Sequence, residues 1–359
     1  MIRPYRTSRL FRRTWTASTT DSIDLKDGGI SGPITRLGFR FAGDVVATGA
    51  GVSAPTLDNP LGLISGVRLQ IVHMDLGHVT IYDGDPRDLH WMSSFLAGGR
   101  AYMDDPSPGA SATDQFGVYF EIPLSMTRLG MQSYLDPRDI AAMNLTFTHA
   151  PITGYAGAGV SAINNATVDV YATEILDEGA PPKGAPHFIP RITTLRQAIE
   201  SQATDIPASA MGGGFMPWIH YRVHDDSQAG DLERSDQILR RLKMVRAGRR
   251  LFESDWTNLL EGCRSVYPLS GSGAGPATSQ PAGVAMWEPD TDAAGLSMLD
   301  CRNVALYHLF DTSTAAQQDV GAGSPATATT SDAVFINAMT LVPNVAAASD
   351  LAGAGLGAK

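Results

Sequence analysis

One short segment of this chain occurs twice, and its two occurrences lie far apart. Leu135–Ala141 (LDPRDIA) returns 164 residues later as Leu299–Ala305 (LDCRNVA). Over the eleven positions that start at Leu135 and at Leu299, five residues are identical and two more are Asp/Asn and Ile/Val exchanges. If the rest of the chain repeats around this segment, the fold must consist of two similar halves.

Four more pairs of segments repeat in the same order, at offsets between 166 and 182 residues. The pairs are Leu37–Phe41 with Ile219–Val223, Leu69–Val72 with Leu242–Val245, Asp85–Leu89 with Asp255–Leu259, and Val168–Ala172 with Val334–Ala338. Small changes of offset are expected where the loops of two copies differ in length. Colinear repeats of this kind predict a duplicated domain.

Composition favours short strands joined by turns and long loops. The chain has 359 residues, enough for two domains of about 150 residues that each bury a core. Hydrophobic residues make up 43% and charged residues 18%, with 37 Gly and 22 Pro, as suits many strands and turns. The two cysteines, Cys263 and Cys301, exclude a disulfide framework as the source of stability.

Alternating apolar residues predict strands, and a helix is predicted at the same place in each half. The predicted strands of the first half cover residues 34–46, 67–72, 78–82, 117–123, 143–148 and 166–175. Asp85 suits a helix N-cap, Pro86 suits the first helical position and Gly98 ends the helix. In the second half Asp255 takes the cap and Gly262 the stop. The predicted fold class is all-β, with two tandem β-sandwiches and short inserted helices.

Composition also predicts the domain boundaries. Gly179–Pro186 (GAPPKGAP) is rich in Pro and Gly, which suit a linker better than a strand interior. The predicted divisions are a basic N-terminal arm at 1–25, a first sandwich at 26–178, a linker at 179–190, a second sandwich at 191–343 and a flexible C-terminal tail at 344–359. Thr194–Gln197 has the form of a capping box and predicts a short helix through Ala203.

The N-terminal arm is the one segment with a functional bias. Its first thirteen residues contain no acidic residue, while the whole chain has a net charge of −10. An acidic body argues against broad nucleic-acid binding by the folded part. The basic arm predicts local contact with nucleic acid or anionic lipid, unless it is a solvated tail. The arginines concerned are Arg3, Arg6, Arg9, Arg12 and Arg13.

Targeting signals are not expected in this chain. It contains no run of about 18 apolar residues, so no bilayer-spanning segment is predicted. The charged N-terminus is followed by the mostly polar stretch Thr14–Asp27, which does not suit a secretory signal. The sequence predicts a cytoplasmic protein, or one that is assembled in the cytoplasm of a host.

The repeated segment itself is predicted to be a tight turn or a single helical turn. The carboxylate of Asp136 is expected to cap backbone amides, and Arg138 is expected to pair with it. Asp300 and Arg302 would do the same in the second half. Because the segment occurs in both halves between strands, we interpret it as structural.

Other polar groupings give weak signals of metal binding. His220 and His224 have the spacing of a helical zinc pair and are followed by two aspartates, but they fall on a predicted strand. Asp83, Asp85 and Asp88 could offer oxygen ligands to calcium, yet helix capping accounts for two of them. No metal site and no cofactor is therefore predicted.

Enzyme motifs are equally weak, and the sequence predicts a protein that is not an enzyme. Gly271–Gly275 lacks the Lys-Ser/Thr of a phosphate loop. Cys301 and His308 have no orienting motif. Spacing along the chain cannot pair carboxylates as glycosidase acids, which applies to Glu121, Asp169 and Glu174. Asn144 and Asn165 begin N-glycosylation patterns but are more simply strand residues.

Two tandem sandwiches, each with a helix after its early strands, together with long loops and a basic aromatic N-terminus, resemble a known family. The family is the double jelly-roll major capsid proteins of tailless icosahedral viruses, particularly of bacteriophages with an internal membrane. The resemblance covers about residues 30–343. Its most specific elements are the paired Leu-Asp-x-Arg segments and Leu37–Phe41 with its counterpart Ile219–Val223.

The resemblance implies two eight-stranded jelly rolls side by side and a homotrimer of nearly hexagonal outline. Such pseudo-hexameric capsomers would tile an icosahedral virion capsid, with penton or minor capsid proteins as further partners. The N-terminal arm would face the particle interior and contact its membrane or packaged genome. Deleting residues 1–13 is then expected to spare the trimer and to impair particle formation.

Two alternatives remain open from the sequence. One is a carbohydrate-binding or glycoside-cleaving double β-sandwich protein, because five Trp residues are available to stack on sugars. Trp91, Trp218 and Trp256, however, fall within predicted helices or strands, as core residues would. The other alternative is a minor vertex or spike protein of the same particle.

Overall fold

Antiparallel strands dominate this chain, and the predicted fold class is confirmed. The computed structural model describes residues 5–99, 101–125, 133–176, 181, 187–198, 204–207, 214–224, 234, 236, 238–246, 248–267, 282–288, 299–300, 304–310 and 333–343. The chain divides into two units, the first formed mainly by residues up to Ile192 and the second by Thr193–Thr340. Within the described ranges, no helix has the length and apolar character needed to cross a membrane.

Two sheets build the first unit. Its strands are β1 (Tyr5–Thr14), β2 (Thr20–Asp24), β3 (Ile34–Ala47), β4 (Ser53–Pro55), β5 (Ile64–His73), β6 (Gly77–Gly84), β7 (Met103–Asp104), β8 (Thr113–Pro123), β9 (Ile140–His149), β10 (Ala156–Ala158) and β11 (Val160–Ile175). One sheet has the order β1-β11-β3-β8-β7 and the other β2-β9-β5-β6, while β4 and β10 form a separate ribbon. The helix α1 (Pro86–Ala97) lies between β6 and β7 in the chain.

Apolar side chains of the two sheets form the core of the first unit. Leu37, Phe39 and Phe41 are fully buried, because alternate residues of β3 point to one face. The ring of Phe39 lies 5.1 Å from that of Phe120 on β8. It also meets Phe147 of the other sheet edge to face at 5.5 Å. These aromatic contacts link the two sheets across the core.

Helix α1 begins and ends at the residues that the sequence predicts. The carboxylate of Asp85 accepts a hydrogen bond from the backbone N–H of Arg87 at 2.9 Å. After the last helical residue, Gly98 has φ 66°, a left-handed value that favours glycine. The indole of Trp91, which is fully buried, donates a hydrogen bond to Asp58 at 3.1 Å. The helix is therefore held by its own cap and by a hydrogen bond to the segment between β4 and β5.

The second unit is built in the same way. Its strands are β12 (Phe188–Ala198), β13 (Thr204–Pro207), β14 (Phe215–His224), β15 (Leu239–Arg246), β16 (Arg249–Asp255), β17 (Val284–Trp287), β18 (Leu299–Asp300), β19 (Val304–Phe310) and β20 (Ala333–Pro343). One sheet has the order β12-β20-β14-β17, and β18 also pairs with β14. The other sheet has the order β13-β19-β15-β16. The helix α2 (Trp256–Val266) follows β16.

The two units share one strand order. When the short strands β4, β7, β10 and β18 are set aside, each unit has eight described strands. In both units one sheet has its strands side by side in the order first, eighth, third, sixth. The other sheet has the order second, seventh, fourth, fifth. The helix stands between the fifth and sixth strands each time. The duplication read from the sequence is thus a duplication of topology.

The repeated segment docks at the same place in both units. Leu135 forms an antiparallel bridge with Ile34, at the start of β3. Leu299 pairs with Met216, near the start of β14. Ile34 and Met216 are 182 residues apart, the same offset that relates Leu37–Phe41 to its counterpart. The repeat therefore closes against the third strand of each sandwich.

The expectation of a separate N-terminal arm at residues 1–25 is corrected by the structure. Residues 5–14 are β1, which pairs with β11 from Tyr5 opposite Ile175 to Thr14 opposite Thr167. Residues 20–24 are β2, the first strand of the other sheet. Because both strands pair with residues more than a hundred positions away, the local sequence could not show that this segment belongs to the sandwich.

One predicted helix and one predicted helix end in the second half are also wrong. Thr194–Gln197 lies within β12, where the Thr194 hydroxyl donates a hydrogen bond to Asn337 of β20 at 2.8 Å. Pairing with β20 and the β-branched residues of this segment outweigh the capping-box pattern. Gly262 lies inside α2, which continues to Val266. The cost of a helical glycine, about 1 kcal/mol, is offset by the burial of its neighbours Leu259, Leu260 and Cys263.

The other predicted boundaries stay predictions. Most of the linker at 179–190 and the whole tail at 344–359 lie outside the described residues. The last three residues of the predicted linker begin β12.

Deleting residues 1–14 is expected to unfold the first unit, because β11 then loses the strand that covers its edge. This prediction replaces the expectation from the sequence that residues 1–13 can be removed without loss of the trimer. Limited proteolysis and circular dichroism would measure the loss. A variant that lacks residues 1–4 and keeps β1 whole is the control. A protease-resistant first unit in the longer deletion would contradict the assignment of β1 to the sandwich.

Candidate functional site

Asp169 lies at the centre of an arginine cluster on the first sheet, called here the Asp169 cluster. Arg12 holds the carboxylate through two hydrogen bonds of 2.7 and 2.9 Å. Nitrogen atoms of Arg9 and Arg40 lie 3.7 and 3.8 Å from its oxygens. The Asp169 side chain is 1% exposed, while the three arginine side chains are about half exposed. The hydrogen bonds from Arg12 are the main reason that the pKa of Asp169 is lowered.

Glu174 ties the first strand to the loop before β3. Its Oε2 accepts hydrogen bonds from the backbone N–H groups of Ser31 and Gly32 at 3.0 and 3.1 Å. Its Oε1 accepts from Arg6 at 3.1 Å and from the Ser8 hydroxyl at 3.4 Å. Burial alone would raise the pKa of Glu174, but the hydrogen bonds together outweigh it and the pKa is lowered.

The structure brings together most of the arginines that the sequence analysis assigned to an arm. Three of them pair with buried acids of β11, namely Arg6, Arg9 and Arg12. The guanidinium of Arg13 lies 5.8 Å from the ring centre of Phe11, and Arg3 lies outside the described residues. The sequence pattern did not indicate Asp169 and Glu174 as their partners. Recognising Tyr5–Thr14 as a strand would have been needed to find them.

The second unit repeats the arginine arrangement around an aromatic ring. The sequence repeats equate Arg40 with Arg222 and Asp169 with Phe335. The guanidinium of Arg222 lies 4.1 Å from the ring centre of Phe335. That of Arg196, on the first strand of this unit, lies 5.9 Å from it. Cation–π contacts thus stand where the first unit has ion pairs.

Asp136 and Arg138 form a tight turn before β9. The carboxylate of Asp136 accepts the backbone N–H of Arg138 at 3.0 Å and its guanidinium at 2.9 and 2.7 Å. The N–H of Asp139 donates to the Asp136 carbonyl at 3.0 Å. Arg138 also donates to the carbonyl of Pro181 at 2.7 Å. The side chain of Asp136 is 2% exposed and that of Arg138 is 32% exposed, so a buried carboxylate pairs with a partly exposed guanidinium.

The second copy of the turn is described in part. Leu299 and Asp300 form β18, and Asp300 pairs with Phe215. Arg302 lies outside the described residues. The turn formed by Asp300 and Arg302 stays a prediction.

The metal candidates do not come together in the described part of the chain, where no group of three or more His, Cys, Asp or Glu could hold an ion. His220 is fully buried, and burial together with the charge of Arg222 lowers its pKa to about 3. Asp83 pairs with Arg68 at 3.3 Å, and Asp85 caps α1. The two aspartates that follow His224 lie outside the described residues.

Comparison by sequence finds no relatives, whereas comparison by structure finds several. No family model and no curated protein matches the chain. The STIV major capsid protein superposes with a TM-score of 0.64 at 15% identity, over 94% of this chain and 97% of that chain. A protein in the atomic structure of Sulfolobus Turreted Icosahedral Virus gives 0.64 at 16% identity, over 98% and 93%. A protein of the PBCV-1 virus capsid gives 0.58 at 15% identity, over 95% and 94%.

This chain has the double jelly-roll fold. The strand order of each unit and the nearly complete overlap with these capsid proteins agree on that point. The resemblance read from the sequence is confirmed at the level of fold. At 15–16% identity, the likeness concerns the arrangement of the two jelly rolls and not individual side chains.

Asp136→Ala is expected to destabilise the first jelly roll by about 1–3 kcal/mol, because the partly buried N–H and the guanidinium of Arg138 lose their acceptor. Asp83→Ala is the matched control. Asp83 is 60% exposed and pairs with an arginine that is 49% exposed, a pair expected to contribute about 0–1 kcal/mol. Denaturant unfolding of both variants measures the difference. Equal losses would contradict a structural role for the buried turn.

Asp169 is expected to contribute a pH-dependent part of the stability. Its pKa is lower in the folded state, so the carboxylate stabilises the fold above its unfolded pKa of about 4. The contribution is lost as the pH falls through the lower, folded-state pKa. Asp169→Asn should therefore reduce stability at pH 7, and the difference from the unmodified chain should shrink below about pH 4. Unfolding curves at several pH values test this; a difference independent of pH would exclude an ionic role.

Proposed function

We propose that this chain is a viral major capsid protein. Three copies would form a homotrimer with the outline of a hexamer, and these capsomers would tile an icosahedral shell. The observation that carries the proposal is the shared strand order of the two jelly rolls. A trimer of such chains has six similar edges, which lets it pack in a hexagonal lattice without six identical subunits.

The structural neighbours support the capsid role. The proteins that superpose over almost their whole length are capsid proteins, and two of these structures describe assembled virus particles. The proposal assigns this chain a place in the virion and contacts with other capsid proteins, such as penton or minor proteins. Assembly in the host cytoplasm and the closer likeness to bacteriophages with an internal membrane stay predictions.

We propose that the protein is not an enzyme and that its role is to assemble with other copies of itself. The charged groups described above bind one another within the first jelly roll: Arg12 binds Asp169, Arg6 binds Glu174 and Arg138 binds Asp136. These ion pairs account for the buried acids as groups that stabilise the fold, without any catalytic role. Lateral contacts between trimers would then be the activity of the protein.

The proposed contact with a membrane or genome would involve a strand of the first sheet and not a separate N-terminal arm. Arg6, Arg9 and Arg12 are about half exposed while they pair with buried acids, so their charge is partly compensated. They lie on a strand, so they would present a fixed row of charge instead of a loose arm. Any interior contact through them, or through Arg13, would therefore depend on how the first sheet faces the particle interior.

The carbohydrate alternative is less well supported. Trp15, Trp91, Trp218 and Trp256 are all buried, at 7%, 0%, 1% and 1% exposure, and cannot stack on a sugar without unfolding. Trp287 is the half-buried member of the five. A surface platform of several tryptophans, which would favour sugar binding, is absent from the described structure.

Native mass spectrometry of the purified chain is expected to show a mass three times that of the monomer. Electron microscopy of the assembled material should show particles with hexagonally packed capsomers. The abundance of the protein in purified virions separates a lattice protein from a minor vertex protein, because a lattice protein dominates the particle mass. A monomer that persists at high concentration would refute the proposal.

A further inference from the structure

A cavity of about 360 Å³ opens beside helix α2 in the second jelly roll. Its lining includes the buried apolar side chains of Leu259, Cys263 and Met286. Phe252 of β16 and Trp287 of β17 also line it, with their ring centres 4.5 Å apart. The cavity thus combines an apolar floor with an aromatic wall, and none of the contacts discussed above uses it.

One acidic side chain belongs to this cavity. Glu288 is exposed and accepts a hydrogen bond from the hydroxyl of Tyr267, which also lines the cavity. Burial, and then the hydrogen bond to Glu288, raise the pKa of Tyr267, so the hydroxyl keeps its proton and continues to donate. The described residues of the lining include no lysine or arginine. Among the residues that the structure describes, no basic side chain forms an ion pair with Glu288.

This lining fits a ligand with an aliphatic body and a cationic end. An aliphatic stem gains from burial against the floor, and a cation gains from the face of an indole and from a carboxylate. Lysine and arginine side chains have this form, since their stems bury while their charged ends stay near water. A sugar would need polar groups directed into the floor. The polar lining residues are instead exposed or half-exposed: Ser254, Asn258, Ser265 and Glu288.

We propose that this cavity binds a basic side chain of a neighbouring copy of this chain. The inference rests on the proposed function, in which many copies meet in a lattice. Charge complementarity supports it: Glu288 offers a negative charge that no described basic side chain neutralises, and the chain has 27 lysines and arginines from which a neighbour can supply a partner. The contact would lock one jelly roll of a capsomer to an adjoining subunit.

The chemistry of the cavity can be tested with small probes on the full-length chain. Calorimetric titration with Nα-acetyl-lysine methylamide is expected to show binding, and the norleucine analogue, which lacks the amine, should bind about threefold to tenfold more weakly. Glu288→Gln should remove most of this preference, because it keeps an acceptor for Tyr267 but loses the charge. Equal binding of the two probes, or preferential binding of methyl glucoside, would overturn the proposal.

Glu261→Gln is the matched control for the charge. Glu261 is exposed on α2 and is not among the cavity-lining residues. Glu261→Gln changes the net charge by the same amount as Glu288→Gln but leaves the cavity unaltered. It should leave the binding of the lysine probe unchanged. A loss equal to that of Glu288→Gln would mean that general charge, and not the cavity, attracts the probe.

Assembly distinguishes failure of this inference from failure of the proposed function. If both hold, Glu288→Gln should still form trimers but should assemble into particles several-fold less well than Glu261→Gln. Particles that assemble equally well from both variants would overturn the cavity contact and leave the capsid role intact. If the unmodified chain forms neither trimers nor particles, the proposed function fails. The proposed contact between the cavity and a basic side chain of another copy then fails with it.

Discussion

Pairing between the first strand and the last strand closes each jelly roll of this chain. In the first unit β1 lies along β11 over nearly its whole length, and in the second unit β12 is the neighbour of β20. Both partners are far apart in sequence, so folding must pay the entropy of closing a long loop before this contact forms. Asp169 and Glu174 stand on β11 where β1 arrives, and their arginine partners reinforce the pairing at two points.

The same backbone framework carries different chemistry in the two halves. Arginines from the first and third strands approach a central residue of the eighth strand in each unit. That residue is Asp169 in the first unit and Phe335 in the second. Both a carboxylate and an aromatic face attract a guanidinium, so the arginines persist although their partner has changed its charge. Duplication followed by such exchanges gives two jelly rolls that share a strand order and differ in charge at this position.

The helices mark another difference between the halves. Each stands after the fifth strand, but α1 is capped by Asp85 and anchored through Trp91 to Asp58, whereas α2 borders an open cavity. The proposed lattice of trimers would need contacts that distinguish one edge from another, because chemically identical edges could join in the wrong register. Under the proposed function, the cavity beside α2 would provide such a distinction in the second jelly roll.

The sequence by itself determined the duplication, the strand-rich fold and the start of both helices. These features are local: alternation of apolar residues sets one buried face of β3, and Asp85 with Pro86 marks a helix start. The tertiary structure alone decided which strands pair. It placed Tyr5–Thr14 in the first sheet and gave its arginines buried acids as partners, and it drew Thr194–Gln197 into a strand against a local helix signal. The periodicity of a strand indicates which of its faces is buried. It does not indicate which distant segment the strand will pair with, because that pairing depends on the packing of the whole sandwich.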